Sequence, residues 1–465
     1  MKILYGIADG ALLQRDAEGC RCFLVLETQG VPSVSLGKLT RLDGNRFLLT
    51  EIPTGGPYRL TFMDDVSQVK IENLWVGDLW VLAGQSNMDG NARERQTEIS
   101  EGDNSPEYLR CFHEDNRWDK VRPVNHEPWL SVEECQYKPW REAHKDTIDE
   151  SGKPFVWQGK PLPRIGVGPG YYFIKKMYEF TGVPQGIIAC AMGGSWLELW
   201  EPCGEEENNL YAQMLRRFIR CGGAVRGVYW DQGEAETNEQ CAEKFVPRMQ
   251  RLVTSIRRDF GNKKLPFVQT QLANCSIPSY CDEGDAWKWW TAIREKQRTM
   301  YEFIDDLDTV SAIDADYDDP IHYSTDTQKT MGARAAVSMA HLCGYGGKPA
   351  PKFSHFSFRK DEYVPQWCVL DVYFENAEGL HSIGRPSGFT VIRDGNTDIR
   401  NPFSNIARLE VLGDRVSIHL GETEEIVREW EVYYAFGHMN YCNIVDGLGR
   451  ALPAFGGLKI KDYLK

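Results

Sequence analysis

Between residues 76 and 346 the chain alternates short apolar runs with longer amphipathic stretches, and that alternation constrains its fold more than any other feature. Strand-like runs lie at 79–83, 185–191, 225–230, 267–272 and 309–313, and helix-like stretches near 170–180, 208–221, 239–259, 287–303 and 326–342. Five strands alternating with helices predict a parallel sheet with helices on both faces, an α/β fold. Such sheets put their chemistry at the carboxyl ends of the strands. The first run, Val81-Leu-Ala-Gly-Gln-Ser86-Asn-Met-Asp-Gly90, carries a serine at that place.

Around this stretch the pattern is different. Residues 1–75 hold β-prone runs, Cys22-Phe-Leu-Val-Leu-Glu27 and Arg46-Phe-Leu-Leu-Thr50, with no ionisable cluster, and predict an N-terminal β domain. Residues 349–465 return to strands at 367–374, 389–393, 407–412, 416–420 and 430–435, after the linker Lys348-Pro-Ala-Pro-Lys352. The catalytic domain is then 76–348. Its segment 91–168, polar and rich in Trp, Pro and His, reads as an excursion at the strand-end rim that shapes a pocket.

The chain has 465 residues with 53 basic against 67 acidic side chains, a formal charge of −14, and no basic block. That argues against nucleic acid and anionic membranes as partners. No signal peptide and no transmembrane run stands out. The 13 cysteines are scattered without a Cys-x-x-Cys pair, as expected of thiols in a reducing cytoplasm. A cytoplasmic location without metal or organic cofactor is the expectation. Oligomeric state is not legible.

Four segments end or follow predicted strands. Ser86 is the candidate nucleophile, and a serine hydroxyl needs a base and a group that orients the base. Asp319 and His322, three positions apart on one loop, supply both types. The glycines of Ala191-Met-Gly193-Gly194-Ser195 let backbone N–H groups approach a ligand, and a tetrahedral intermediate needs such donors where its oxyanion develops. Gln232, in Tyr229-Trp-Asp-Gln-Gly-Glu234-Ala-Glu236, offers a side-chain donor; the acids there allow a two-carboxylate glycosidase reading, which is the weaker one.

In this order, Gly84-Gln-Ser-Asn-Met88, Gly193-Gly194-Ser, Trp230-Asp-Gln-Gly-Glu234 and Asp319-x-x-His322 resemble the four blocks of the SGNH (GDSL-like) hydrolases, in the branch of sialate O-acetylesterases and related carbohydrate acetylesterases. The resemblance implies a flavodoxin-like three-layer core of five parallel strands, flanked by N- and C-terminal β-sandwich-like domains. It implies Ser86 as nucleophile and His322 as base oriented by Asp319. The oxyanion hole would be the N–H groups of Ser86 and Gly193 with the side chain of Gln232. Two departures stand: the third block reads Gln-Gly-Glu-Ala-Glu236 where Gln-Gly-Glu-Ser-Asn is common, and Asp319-Pro-Ile-His-Tyr323 where Asp-Ile-His-Pro is common.

The expected activity is hydrolysis of acetyl esters on the hydroxyls of a mono- or oligosaccharide, with esters of xylan or mannan fragments as the alternative to O-acetyl sialic acid. A carbohydrate-binding protein without catalysis is the rival from another class. Gln85, Glu234, Trp287 and Arg294 are candidate substrate contacts. Trp118, Trp129, Trp140, Trp157, Trp289 and Trp290 are further candidate sugar platforms, and Arg93, Arg95 and Arg164 further partners for a sialate carboxylate.

Overall fold

The computed structural model describes residues 1–148, 155–157, 160–162, 166–277, 286–393 and 406–465. The chain forms two compact units: Met1–Gln232 with Arg248–Phe267 and His322–Gly347, and Gly233–Pro247 with Val268–Ile321 and Lys348–Lys465.

The first unit is built on one long strand, Gln68–Gly84. Its first half alternates between exposed and buried residues and pairs antiparallel with Gly55–Met63, Leu60 opposite Ile71 and Phe62 opposite Val69. This half lies over an N-terminal β core of Leu13, Leu24, Phe47, Leu49, Phe62 and Leu74. From Leu74 onward every residue is buried. Here the strand enters a parallel sheet, with Ile187 opposite Trp80 on one side and Val228 opposite Val81 on the other. The change from alternating to continuous burial is what separates a half-exposed antiparallel strand from a parallel strand covered on both faces. The place where a domain boundary was expected is thus the middle of a continuous strand.

All five expected runs are strands, at Gln68–Gly84, Gln185–Ala189, Gly227–Asp231, Phe267–Gln271 and Leu307–Ser311. Within the excursion, Leu109–Phe112 extends the parallel sheet beside Gln185–Ala189, and Trp118–Lys120 pairs antiparallel with it. Four residues containing an arginine carry little strand signal, and Arg110 is tolerated because its buried Nε–H donates to Gly10 O at 2.9 Å. Helices Gly170–Thr181 and Thr325–Leu342 pack together, so closely at Gly332 that a Cβ there would stand 2.5 Å from Pro169 O.

In the second unit, Phe267–Gln271 pairs with Leu307–Ser311. The C-terminal stretch forms a four-stranded antiparallel sheet, Lys352–Lys360, Cys368–Glu375, Arg415–Leu420 and Ile406–Leu412 in spatial order, and a three-stranded sheet of Phe389–Ile392, Glu431–Tyr434 and Phe455–Lys459. Phe356, Leu370, Ile418, Val432 and Phe455 fill the core between them. Gln271 ties the α/β strands to this region. Its Nε2 donates to Arg294 O (2.9 Å) and Ala454 O (2.7 Å), and its Oε1 accepts Ala454 N–H at 2.8 Å. Two amide groups buried together must be paired, and these pair each other.

Candidate active site

Ser86 follows Gly84, whose φ of +136° and a Cβ position 2.0 Å from Asp231 O leave room only for glycine. The strand end is sewn to its neighbours: Gln85 N–H donates to Asp231 O (2.8 Å), Met192 N–H to Gly84 O (3.0 Å), and the Ser195 hydroxyl to Gly84 O (3.2 Å). Ser86 opens the short helix Ser86–Asp89 and is 8% exposed. Its carbonyl accepts Gly90 N–H and Asn91 Nδ2, both at 2.9 Å. Gln85 is buried, and its carbonyl caps the same turn through Met88 and Asp89 N–H.

Gly193 lies beside the serine, for a Cβ built on it would stand 3.8 Å from Ser86 Cβ. Its N–H donates to Asp89 Oδ2 at 3.1 Å, so an oxyanion forming at Ser86 would compete with this carboxylate for the donor. Burial pushes the Asp89 carboxyl up to about 7, with the Gly193 N–H pulling the other way. Gln232 is fully buried and its Nε2 donates to Ser195 O at 3.3 Å. Asp89 was in plain view within the first motif, yet nothing in the sequence alone marked it.

The loop that carries Gly193 is held from below by side chains that the sequence did not single out. Arg217 Nη1 donates to Ala189 O at 2.6 Å, Gln213 Nε2 to Cys190 O at 2.9 Å, and Gln136 Nε2 to Ala191 O at 3.1 Å. His126 Nε2 accepts Ala191 N–H at 3.3 Å while its Nδ1–H donates to Asn125 Oδ1 at 2.8 Å, which fixes a neutral tautomer. Burial and the Arg217 charge push His126 down to about 3. Arg217 Nη2 in turn donates to Gln136 Oε1 (2.7 Å) and Glu114 O (3.2 Å). His126 and Gln136 come from the excursion, part of which is therefore buried against the Gly193 loop.

His322 precedes Tyr323, whose N–H donates to Asn87 Oδ1 at 3.1 Å, and Gln328 Nε2 donates to Asn87 O at 2.9 Å. The residue after Ser86 is thus bonded to the residue after His322. Ser324 Oγ accepts Thr327 N–H at 3.3 Å and caps helix Thr325–Leu342. Asp319 is exposed, and its Oδ1 accepts Ile321 N–H at 2.9 Å in a side-chain turn. Glu234 is buried in the turn Glu234–Glu236, where its carbonyl accepts the Thr237 hydroxyl at 2.8 Å.

Arg294 is a correction. It was expected to meet substrate, but it is 1% exposed and all five of its N–H groups face protein oxygens. Nε donates to Leu272 O (3.1 Å), Nη1 to Ala435 O (3.2 Å) and Gly437 O (2.6 Å), and Nη2 to Ala273 O and to Asn274 Oδ1 (2.9 Å). A guanidinium has five donors, so none is left for a carboxylate. Trp287 is 8% exposed and packs on Phe436, ring centroids 5.0 Å apart. Trp290 is buried, its Nε1–H on Ala273 O at 2.7 Å, and Trp140 is buried between Trp129 and His144. Arg95 pairs with Glu98 and Asp326. Arg164 and the side chain of Trp157 lie outside the described residues. Among the described residues, no group of three or more His, Cys, Asp or Glu side chains could hold a metal ion, no helix is long and apolar enough to cross a membrane, and the cysteines are free thiols.

Ser86 thus stands at the end of a buried parallel strand with the Gly193 loop beside it. Residues 76–341, more than half the chain, match the family described as "Carbohydrate esterase, sialic acid-specific acetylesterase". The chain belongs to that family of carbohydrate esterases. It is 28% identical over 283 residues to a probable carbohydrate esterase of Arabidopsis thaliana, covering 57% of this chain and 91% of the relative. The crystal structure of a carbohydrate acetylesterase from Xanthomonas citri is similar in fold over 98% of this chain and 99% of its own, with a TM-score of 0.69 at 22% identity.

Proposed function

We propose that this carbohydrate esterase works through an acyl-enzyme on Ser86. Ser86 Oγ attacks the acetyl carbonyl while His322 takes its proton, with Asp319 holding the imidazole tautomer. The oxyanion sits on Ser86 N–H, Gly193 N–H once it turns from Asp89 Oδ2, and Gln232 Nε2. His322 returns the proton to the leaving sugar oxygen, then activates water, and acetate departs. The observation that carries the reading is the serine at the end of a buried strand with the Gly193 backbone against it, in a chain of this family.

The catalytic stretch 76–348 is read as an SGNH core of five parallel strands between two β domains. The substrate is an acetylated mono- or oligosaccharide. The full engagement of Arg294 removes one expected reader of a sialate carboxylate and favours a neutral sugar such as a xylan or mannan fragment. Free thiols suit a reducing compartment such as the cytoplasm. The test is acetate release from p-nitrophenyl acetate by the wild type beside Ser86→Ala. Removal of the nucleophile is expected to lower kcat by a factor on the order of 1,000 or more; undiminished activity would refute the acyl-enzyme.

A further inference from the structure

We propose that a cavity within the first unit, lined by Arg15, Arg21, Arg226 and Lys264, is a binding site for the phosphate group of a small molecule. The site is separate from Ser86 and does not depend on the esterase reading.

The cavity has a volume of about 580 Å³. Small-molecule sites run from roughly 300 to 1,000 Å³. Every residue that lines it belongs to the first unit, and the chain segments on either side of each are described. Four cations line it, and among the described residues no Asp or Glu does. Arg15 is balanced by the buried Asp78, its Nε on Oδ1 at 2.9 Å and its Nη2 on Oδ2 at 3.0 Å. Arg21, Arg226 and Lys264 form no ion pair among the described residues. Arg226 Nε–H is buried without a hydrogen-bond partner. Three unbalanced cations around one cavity repel each other, and a bound anion relieves that repulsion. They stand out in a chain whose formal charge is −14.

The donors are also preset. Arg21 Cζ lies 5.2 Å from the Phe23 ring centroid and Arg226 Cζ 5.1 Å from that of Tyr345, so aromatic faces hold both guanidinium groups. The N–H groups of Ala224 and Val225, also in the lining, make no hydrogen bond within the protein. Asn262 Oδ1 accepts Lys264 N–H at 3.1 Å, which leaves its amide N–H groups for a ligand. A phosphate ester carries close to two negative charges and three strong acceptor oxygens, which suits this set. A single carboxylate would leave two of the three cations unbalanced. Helices Leu210–Arg220 and Thr325–Leu342 end close by, and helix carboxyl ends attract cations. Their late carbonyls are already bonded, however, Phe218 O by Gly223 N–H (3.0 Å) and Ala340 O by Tyr345 N–H (2.7 Å).

The cavity and Ser86 lie at opposite ends of one strand. Arg226 precedes Gly227–Asp231, whereas Asp231 O accepts the N–H of Gln85, the neighbour of Ser86. Five strand residues at about 3.3 Å each separate the two ends by roughly 17 Å.

The test is calorimetric titration of the full-length protein at low ionic strength with glycerol 3-phosphate, inorganic phosphate and succinate. Glycerol 3-phosphate should bind one to one. Arg21→Gln and Lys264→Gln should each weaken it about ten-fold, or about 1.4 kcal/mol. Both side chains are exposed, so neither change threatens the fold. Lys360→Gln, an equal change of charge at an exposed residue outside the lining, should leave the affinity unchanged. Equal binding of inorganic phosphate would make the free ion the ligand, and a preference for the ester would make it a phosphorylated compound; either result upholds the site. The proposal is overturned if neither phosphate binds, in which case the cations serve only the helix ends. It is overturned equally if succinate binds as tightly, if the two lining changes leave the affinity untouched, or if Lys360→Gln weakens it as much as they do.

Discussion

Among the buried arginines, Arg217 of the first unit and Arg294 of the second are not alike. Arg294 gives four of its five N–H groups to backbone carbonyls and the fifth to an asparagine. Arg217 shares its donors between Ala189 O, Glu114 O and the side chains of Ser131 and Gln136, while its Nε–H has no hydrogen-bond partner. Glu114 Oε1 and Gln213 Oε1 beside this network also have none. Burial pushes the Glu114 carboxyl well up, against the pull of Arg217. A saturated guanidinium fixes a wall, whereas an incompletely paired network of titratable groups has other arrangements open to it. The saturated arginine holds the 272–274 and 435–437 backbone together, and the incomplete one carries the loop beside Ser86.

The largest effect should come from Arg294→Met, which leaves four carbonyls and an amide oxygen buried without their donor. A loss on the order of 4 kcal/mol in urea denaturation is expected. A loss under about 1 kcal/mol would mean that Arg294 is not the wall's anchor. Arg217→Met should cost less stability, about 2 kcal/mol, because its network is already incomplete. Its larger consequence should fall on kcat, with KM little changed, since the Gly193 loop loses a support. Equal stability losses in the two variants would erase the contrast.

Smaller effects concern protons. His126 is held near 3, far below its unfolded value of about 6.5. The unfolded chain therefore binds the extra proton across that interval, so the contribution of neutral His126 is full above about pH 6.5 and is lost as pH falls through 3. His126→Gln should flatten the dependence of denaturation midpoint on pH between those limits. Asp89 is shifted the other way, to about 7 from an unfolded value of about 3.9. Its contribution is full at low pH and is lost as pH rises through 7. Asp89→Asn, which keeps an acceptor for Gly193 N–H, should melt above the wild type at pH 8 and approach it at pH 5.

The strands were legible because their apolar runs are bounded by glycines and helical stretches, and the positions of Ser86 and Gly193 just past two of those strands followed from that. Leu109–Phe112 was not, being four residues long with an arginine inside. The roles of the buried arginines were missed although the spacing held a hint. Arg217 shares a helical face with Leu210, Met214 and Cys221, and Arg294 with Trp287 and Trp290, all buried. A charged residue in register with an apolar stripe has been taken inside, where it must find acceptors. His126 and Gln136 gave no such signal. His126 lies in an irregular stretch and Gln136 in the short helix Glu134–Ala143, and only the folded backbone brings them to Ala191.

The most direct measurement is the covalent intermediate itself. The wild type is mixed with p-nitrophenyl acetate, quenched in acid within the first turnover, digested and read by mass spectrometry. An acetyl group on the Ser86 hydroxyl, absent after denaturation of the enzyme before mixing, is the predicted result. Acetate released at full rate with Ser86 unmodified would contradict the account, because the carbonyl would then be attacked by water or by another side chain.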